Sequence, residues 1–177
     1  GEIQTLRTVE GLLTEEEVAN VYLLTTNAVA QKVDGCQMLV VPNHTSSATM
    51  KRIAQHAKSE FTLIYSKQEM LLFGYKALQR MVKVARDLGS GMVYADHYHY
   101  RAGELCKAPV IDYQEGSLRD DFDFGSVILY STAALKEAAS RMTEPYEAAG
   151  RYDLRLKIAQ RYTIDHIPEY LYTDMES

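Results

Sequence analysis

The sequence predicts an α/β domain, and three observations carry that prediction. Short apolar runs of strand length recur along the chain. Segments with apolar residues at helical spacing alternate with them. The length, 177 residues, suits one domain with a sizeable core and is marginal for two. Strands that alternate with helices imply a three-layer α/β/α sandwich around a mostly parallel sheet. Ligands of such sheets bind beyond the carboxyl ends of the strands, so the loops after residues 25, 41, 65 and 100 lie nearest any site.

Taken in order, Leu6, Val9, Leu12 and Leu13 keep a helical stripe, followed by Thr14-Glu15-Glu16-Glu17, the pattern of a capping box. VYLLT (21–25) and QMLVV (37–41) read as strands separated by a polar loop containing Asp34-Gly35. Pro42-Asn43 ends the second run. Ser46 or Ser47 then caps a helix whose apolar face is Met50, Ile53, Ala54 and Ala57. FTLIY (61–65) is the next strand. Tyr75, Leu78, Val82 and Ala85 line one face of a helix that Gly89 terminates. GMVYADHYHY (91–100) is a strand, and 101–124 reads as a long loop with short extended pieces. SVILY (126–130), helices near 132–142 and 151–160, and a strand at TIDHI (163–167) complete the set.

Bulk properties exclude several classes. A net charge of −5 with no Lys/Arg cluster argues against a nucleic-acid surface. No apolar run approaches the roughly 20 residues of a membrane span. Cys36 and Cys106 are isolated thiols without metal-ligand spacing, which points to a reducing, cytosolic compartment.

Two stretches offer chemistry. His97-x-His99-x4-Glu104 has the spacing of the first metal motif of an all-β cupin barrel, but three segments of helical period exclude that fold. On a strand His97 and His99 share a face, so a two-histidine metal site stays open. In Arg119-Asp120-Asp121-Phe122-Asp123-Phe124-Gly125, Asp121 and Asp123 point the same way if extended, as two oxygen ligands or an acid/base pair. The competing reading is a solvated acidic loop with turn and capping aspartates.

The order of elements resembles family 2 glycosyltransferases, nucleotide-sugar-dependent enzymes of the GT-A fold. SATMKRIAQHAKSEFTLIYSKQEMLLFGYKALQRMVKVARDLGSGMVYAD follows the family's helix–strand–helix–strand order. Gly125-Ser126 through Leu135 is similar to its strand–helix unit. Tyr152-Asp153-Leu154-Arg155-Leu156-Lys157 and Ile167-Pro168-Glu169-Tyr170-Leu171-Tyr172 are similar to its closing phrases. The resemblance spans roughly residues 5 to 172 and implies a GT-A-like domain over 1–177. It implies a nucleotide-sugar donor and a carbohydrate hydroxyl acceptor. A divalent cation, Mn or Mg, is implied with them. The implied setting is cytoplasmic and membrane-peripheral, in cell-surface polysaccharide assembly.

The chain departs from the family at four features. The metal-binding Asp-x-Asp falls at Ser66-Lys67-Gln68-Glu69, and the Glu-Asp base pair at Gly150-Arg151. No aspartate follows the strand ending near Thr25, and the first family strand is missing, as in a piece of a longer chain. The expected catalytic candidates are therefore Asp96, Asp121 and Asp123. Lys67 and Glu69 are the candidates for binding the nucleotide, with the Lys67 ammonium standing in for a cation against a diphosphate. The alternative is a catalytically degenerate GT-A domain that binds a sugar, a nucleotide or a protein.

Overall fold

The computed structural model describes residues 2–114 and 122–176. Helix α1 (Glu2–Leu13) is followed by β1 (Tyr22–Thr25) and β2 (Gln37–Val40), which pair in parallel as a separate two-stranded sheet. The remaining elements are α2 (Ser47–His56), β3 (Phe61–Tyr65), β4 (Met70–Phe73), α3 (Ala77–Leu88), β5 (Met92–Arg101), β6 (Glu104–Ala108), β7 (Val127–Ser131), α4 (Thr132–Ser140), α5 (Gly150–Ala159) and β8 (Ile164–Met175). The large sheet has the order β3-β7-β5-β8-β4, and β6 pairs with β5.

Alternation along the central strands divides the core into two layers. Met92 and Tyr94 of β5, with Ile128 and Tyr130 of β7, face Met50 of α2, Leu135 and Ala138 of α4, and Leu154 and Ile158 of α5. The intervening Val93, Ala95, Val127 and Leu129 face Ala77, Met81 and Ala85 of α3. Complete burial of side chains such as Leu154 and Met81 contributes about 1.5–3 kcal/mol each. Both faces are covered, so the α/β class and the layering agree with the sequence reading.

Strand direction is more mixed than the expected mostly parallel sheet. Among the described residues of the large sheet only β5 and β8 pair in parallel; β3–β7, β5–β7, β4–β8 and β5–β6 are antiparallel. The cause is local. Ala102 and Gly103 both have positive φ, 51° and 82°, so β5 turns back on itself through a two-residue hairpin into β6. An alanine in that conformation gives little warning in sequence, which is why 101–108 reads as loop. The four residues of β4 are uniformly apolar and too short to show a period.

Two boundaries also differ. Thr14 does not open a helix. α1 ends at Leu13 and the Thr14 hydroxyl donates to the Gly11 carbonyl at 2.7 Å, because no apolar stripe follows for a new helix to bury. β8 runs eight residues past Ile167, through Pro168. The register shifts between Ala95 and His97 of β5 lift Pro168 and Glu169 out of the ladder, which accommodates a residue without an N–H. Elsewhere the caps fall where expected. Ser46 accepts from the Thr49 amide, and Gly89 ends α3 in the left-handed region. Both cysteines are free, Cys36 half-buried and Cys106 exposed. Among the described residues no helix is long and apolar enough to cross a membrane.

Candidate functional site

Parallel pairing of β5 with β8 sets His97 beside Tyr172 and His99 beside Asp174. These four residues meet at the carboxyl ends of both strands. The loop after β3 brings Lys67 and Glu69 to the same place, and the start of β7 brings Ser126. Asp174 is wholly buried. Its Oδ1 bonds to His99 Nδ1, and its Oδ2 accepts from Lys67 Nζ and from Ser126 Oγ, both at 3.0 Å. Burial alone would push this carboxyl up. The bonds from His99, Lys67 and Ser126 and the Lys67 charge outweigh it and hold Asp174 below its ordinary value. Lys67 is correspondingly held above its own, because the bond and charge of Asp174 overcome its desolvation.

Tyr172 builds the floor. Its ring stacks on His97 with centroids 4.7 Å apart and planes 2° from parallel, and its hydroxyl accepts from the Ser126 amide at 3.0 Å. Gly125 has φ +75°, and a Cβ there would stand 2.5 Å from the Tyr172 oxygen, so both backbone and space demand glycine. Burial pushes Tyr172 up.

Burial likewise pushes His97 below its ordinary value of 6.5, against the opposing pull of Asp174. Above that value His97 is neutral in both the folded and the unfolded chain. As pH falls past it, the unfolded chain takes a proton that the folded one resists, so stability declines. The urea midpoint is expected to fall between pH 7.5 and 5.5, and to fall less in His97→Phe, which keeps the stacking on Tyr172. An equal slope in the variant would contradict this.

Two of the five sequence candidates meet here. Lys67 Nζ lies 3.0 Å from Asp174 and 3.7 Å from Glu69 Oε2, which is buried without a hydrogen-bond partner among the described residues. Asp96 and Asp123 go elsewhere. The buried Asp96 accepts from the Val110 amide at 3.0 Å and contacts His166 Nε2 at 2.7 Å, while His166 Nδ1 lies 2.5 Å from Asp112. With Tyr94 stacked on His166 at 4.9 Å, Asp96 fastens the 110–112 segment to β5 and β8. Asp123 is exposed, and its carboxylate accepts from the Gly125 amide at 2.7 Å as a turn former. Asp121 lies outside the described residues.

Sequence reasoning missed Asp174, Ser126 and Tyr172, and it placed no weight on His99 beyond the two-histidine motif. The available signal was alternation. Tyr172 and Asp174 sit at i and i+2, as do His97 and His99, but Pro168 made the final strand look finished before it reached them. Glu104 of the apparent metal motif pairs with Arg101 across the hairpin instead.

Glu69, His99 and Asp174 each offer one ligand atom, all within 4.8 Å of one another. A hard cation such as Mg wants oxygen ligands in a nearly ideal octahedron, whereas this set mixes imidazole with carboxylates. The Lys67 ammonium already neutralises Asp174. The imidazole makes the set a poor match for Mg, and the Lys67 ammonium, 3.0 Å from Asp174, already supplies a positive charge at this place.

No protein-family model matches the chain, and no curated protein matches it in sequence. Solved structures do share its architecture. Residues 1–349 of S. aureus TarS, a glycosyltransferase, superpose with a TM-score of 0.62 at 12% identity. The match covers 96% of this chain and 56% of the TarS structure, so the chain spans little more than half of that neighbour. The fold is GT-A-like.

The sequence resemblance puts the family's Glu-Asp base pair at Gly150-Arg151. The buried Gly150 packs against the turn before α2, and a Cβ there would lie 2.3 Å from the Ser46 carbonyl carbon. No carboxylate side chain fits at that position. Gly150→Asp is thus expected to restore no base and to destabilise the fold by about 3 kcal/mol, through overpacking against backbone. Denaturant unfolding would measure it, and a variant as stable as the parent would show that the α2 turn yields.

Proposed function

We propose that this GT-A-like domain binds a nucleotide sugar at the carboxyl edge of its sheet and transfers the sugar to a hydroxyl of a carbohydrate acceptor. The observation that carries the reading is the position of Lys67. It stands in the loop after β3, where the resembling family has its metal-binding carboxylates, and its ammonium sits at the sheet edge, 39% exposed, while bonded to Asp174. As the bond between the anomeric carbon and the diphosphate oxygen breaks, negative charge collects on the leaving group. A fixed ammonium supports that charge without a metal. The acceptor oxygen bonds to the anomeric carbon and gives up its proton. His99 is the group built to take it, since Asp174 holds Nδ1 and a quarter of the side chain is open to solvent. Inversion at the anomeric carbon and a role in cell-surface polysaccharide assembly follow from the resemblance.

The second reading, a module that binds a nucleotide sugar without turning it over, is favoured by one observation. Gly150-Arg151 stand where the resembling family has its Glu-Asp base pair, and Gly150 is pressed against the α2 turn. Incubating the protein with a panel of nucleotide sugars and acceptors, and following release of the nucleoside diphosphate, separates the two. Acceptor-dependent release that His99→Gln abolishes supports transfer. Binding without release supports the module.

A further inference from the structure

Helix α5 carries two arginines without counter-ions among the described residues. Arg151 and Arg155 lie at i and i+4 on one helix face, where like charges repel. Both are half-buried, and the Nε of each is buried with no hydrogen-bond partner among the described residues. The Arg155 guanidinium lies over the Phe124 ring, 5.1 Å from its centroid.

No ion pair joins either arginine to a carboxylate among the described residues. Asp153, between them in sequence, is bonded to Lys157 at 2.6 Å instead. The contrast with the other described arginines is sharp. Arg80, Arg86, Arg101, Arg141 and Arg161 each hold a glutamate, and Arg7 and Arg52 are exposed. Burial, and the charge of Arg155 beside it, depress Arg151 below its ordinary value.

A half-buried, unbalanced pair of guanidiniums costs stability unless something completes it. The planar fork of each matches the oxygens of a phosphate or carboxylate. One short segment links the pair to the Lys67 site. Phe124 takes the Arg155 guanidinium, while Ser126, two residues on, donates to Asp174.

We infer that Arg151 and Arg155 bind an oxyanion, a phosphate or carboxylate, carried by the acceptor. The oxyanion site stands on the arginines themselves; its assignment to the acceptor rests on the transfer reading above.

Calorimetric titration with inorganic phosphate, and separately with acetate, tests the site on the intact chain. Saturable binding of one of them is expected, and which one saturates distinguishes the two sources. The affinity should fall at least tenfold in the R151Q/R155Q variant and remain within twofold in Lys83→Gln, an exposed lysine of α3. Circular dichroism confirms that each variant is folded, and R151K/R155K, which keeps charge but loses the fork, should fall between. Absence of saturable binding by the folded wild-type chain, or equal binding by R151Q/R155Q, overturns the site.

Titration with a nucleoside diphosphate tests the assignment. Affinity unchanged in R151Q/R155Q supports an acceptor group, and a parallel loss shows that the arginines serve the donor and overturns it. A chain that binds phosphate through the arginines but no nucleotide leaves the oxyanion site standing while the transfer reading fails.

Discussion

Asp174→Ala is expected to lower the unfolding free energy by about 3–5 kcal/mol, the usual cost of removing one partner from a buried charge cluster. Asp174 is wholly buried, and its two oxygens are shared among His99, Lys67 and Ser126. Without it the Ser126 hydroxyl and the His99 ring lose their acceptor inside the protein, and the Lys67 ammonium must find solvent. At about 2–4 °C per kcal/mol for a chain of this size, the melting temperature should drop by roughly 10 °C.

Asp174→Asn keeps the shape and loses the charge, so a smaller loss is expected. It also separates the acid behaviour. The folded value of Asp174 lies below the unfolded one, ordinarily 3.8. Its contribution is complete above that value and disappears as pH falls through the depressed folded value. The asparagine variant should lack this part of the acid limb. Thermal and denaturant melts across pH measure both effects, and an alanine variant as stable as the parent would contradict the account of the cluster.

Lys67→Ala is expected to weaken binding of a nucleoside diphosphate by about 100-fold, near 2.8 kcal/mol at about 1.4 kcal/mol per factor of ten. That is within the range of a hydrogen bond to a charged group. Stability should change far less, by about 1 kcal/mol or below, because Lys67 is more than one-third exposed and water replaces much of what it gives Asp174. Lys67→Arg, which retains charge and gains a fork, should bind within about tenfold of the parent. Calorimetry on folded variants decides it. Unaltered affinity in Lys67→Ala would place the diphosphate elsewhere.

Most of the fold was legible because its signals are local. Alternation in 91–100 and 126–130, the helical period through Ala85, and the caps at Ser46 and Gly89 each depend on a few neighbouring residues. The site was legible only in part, for a physical reason. Lys67 and Glu69 are marked by their position after a strand, and that position depends only on chain order. Asp174 acquires its meaning from pairing with His99, 75 residues away, in a strand that a proline appears to close. Asp96 misled in the opposite sense. A carboxylate near a strand end looks available in sequence, whereas His166 and the Val110 amide have engaged it. The abundance of tyrosine also gains some account from packing, since Tyr94, Tyr98, Tyr170 and Tyr172 form stacks within the β5–β8 layer.

In the proposed function a lysine ammonium, rather than a metal, meets the diphosphate at the carboxyl edge of this sheet. Titrating the protein with nucleoside diphosphates and their sugars, once in EDTA and once in excess Mn, tests it most directly. The account expects the same affinity, within about threefold, in both conditions, and loss of binding in Lys67→Ala in both. Binding that appears only with Mn and survives removal of Lys67 would contradict it.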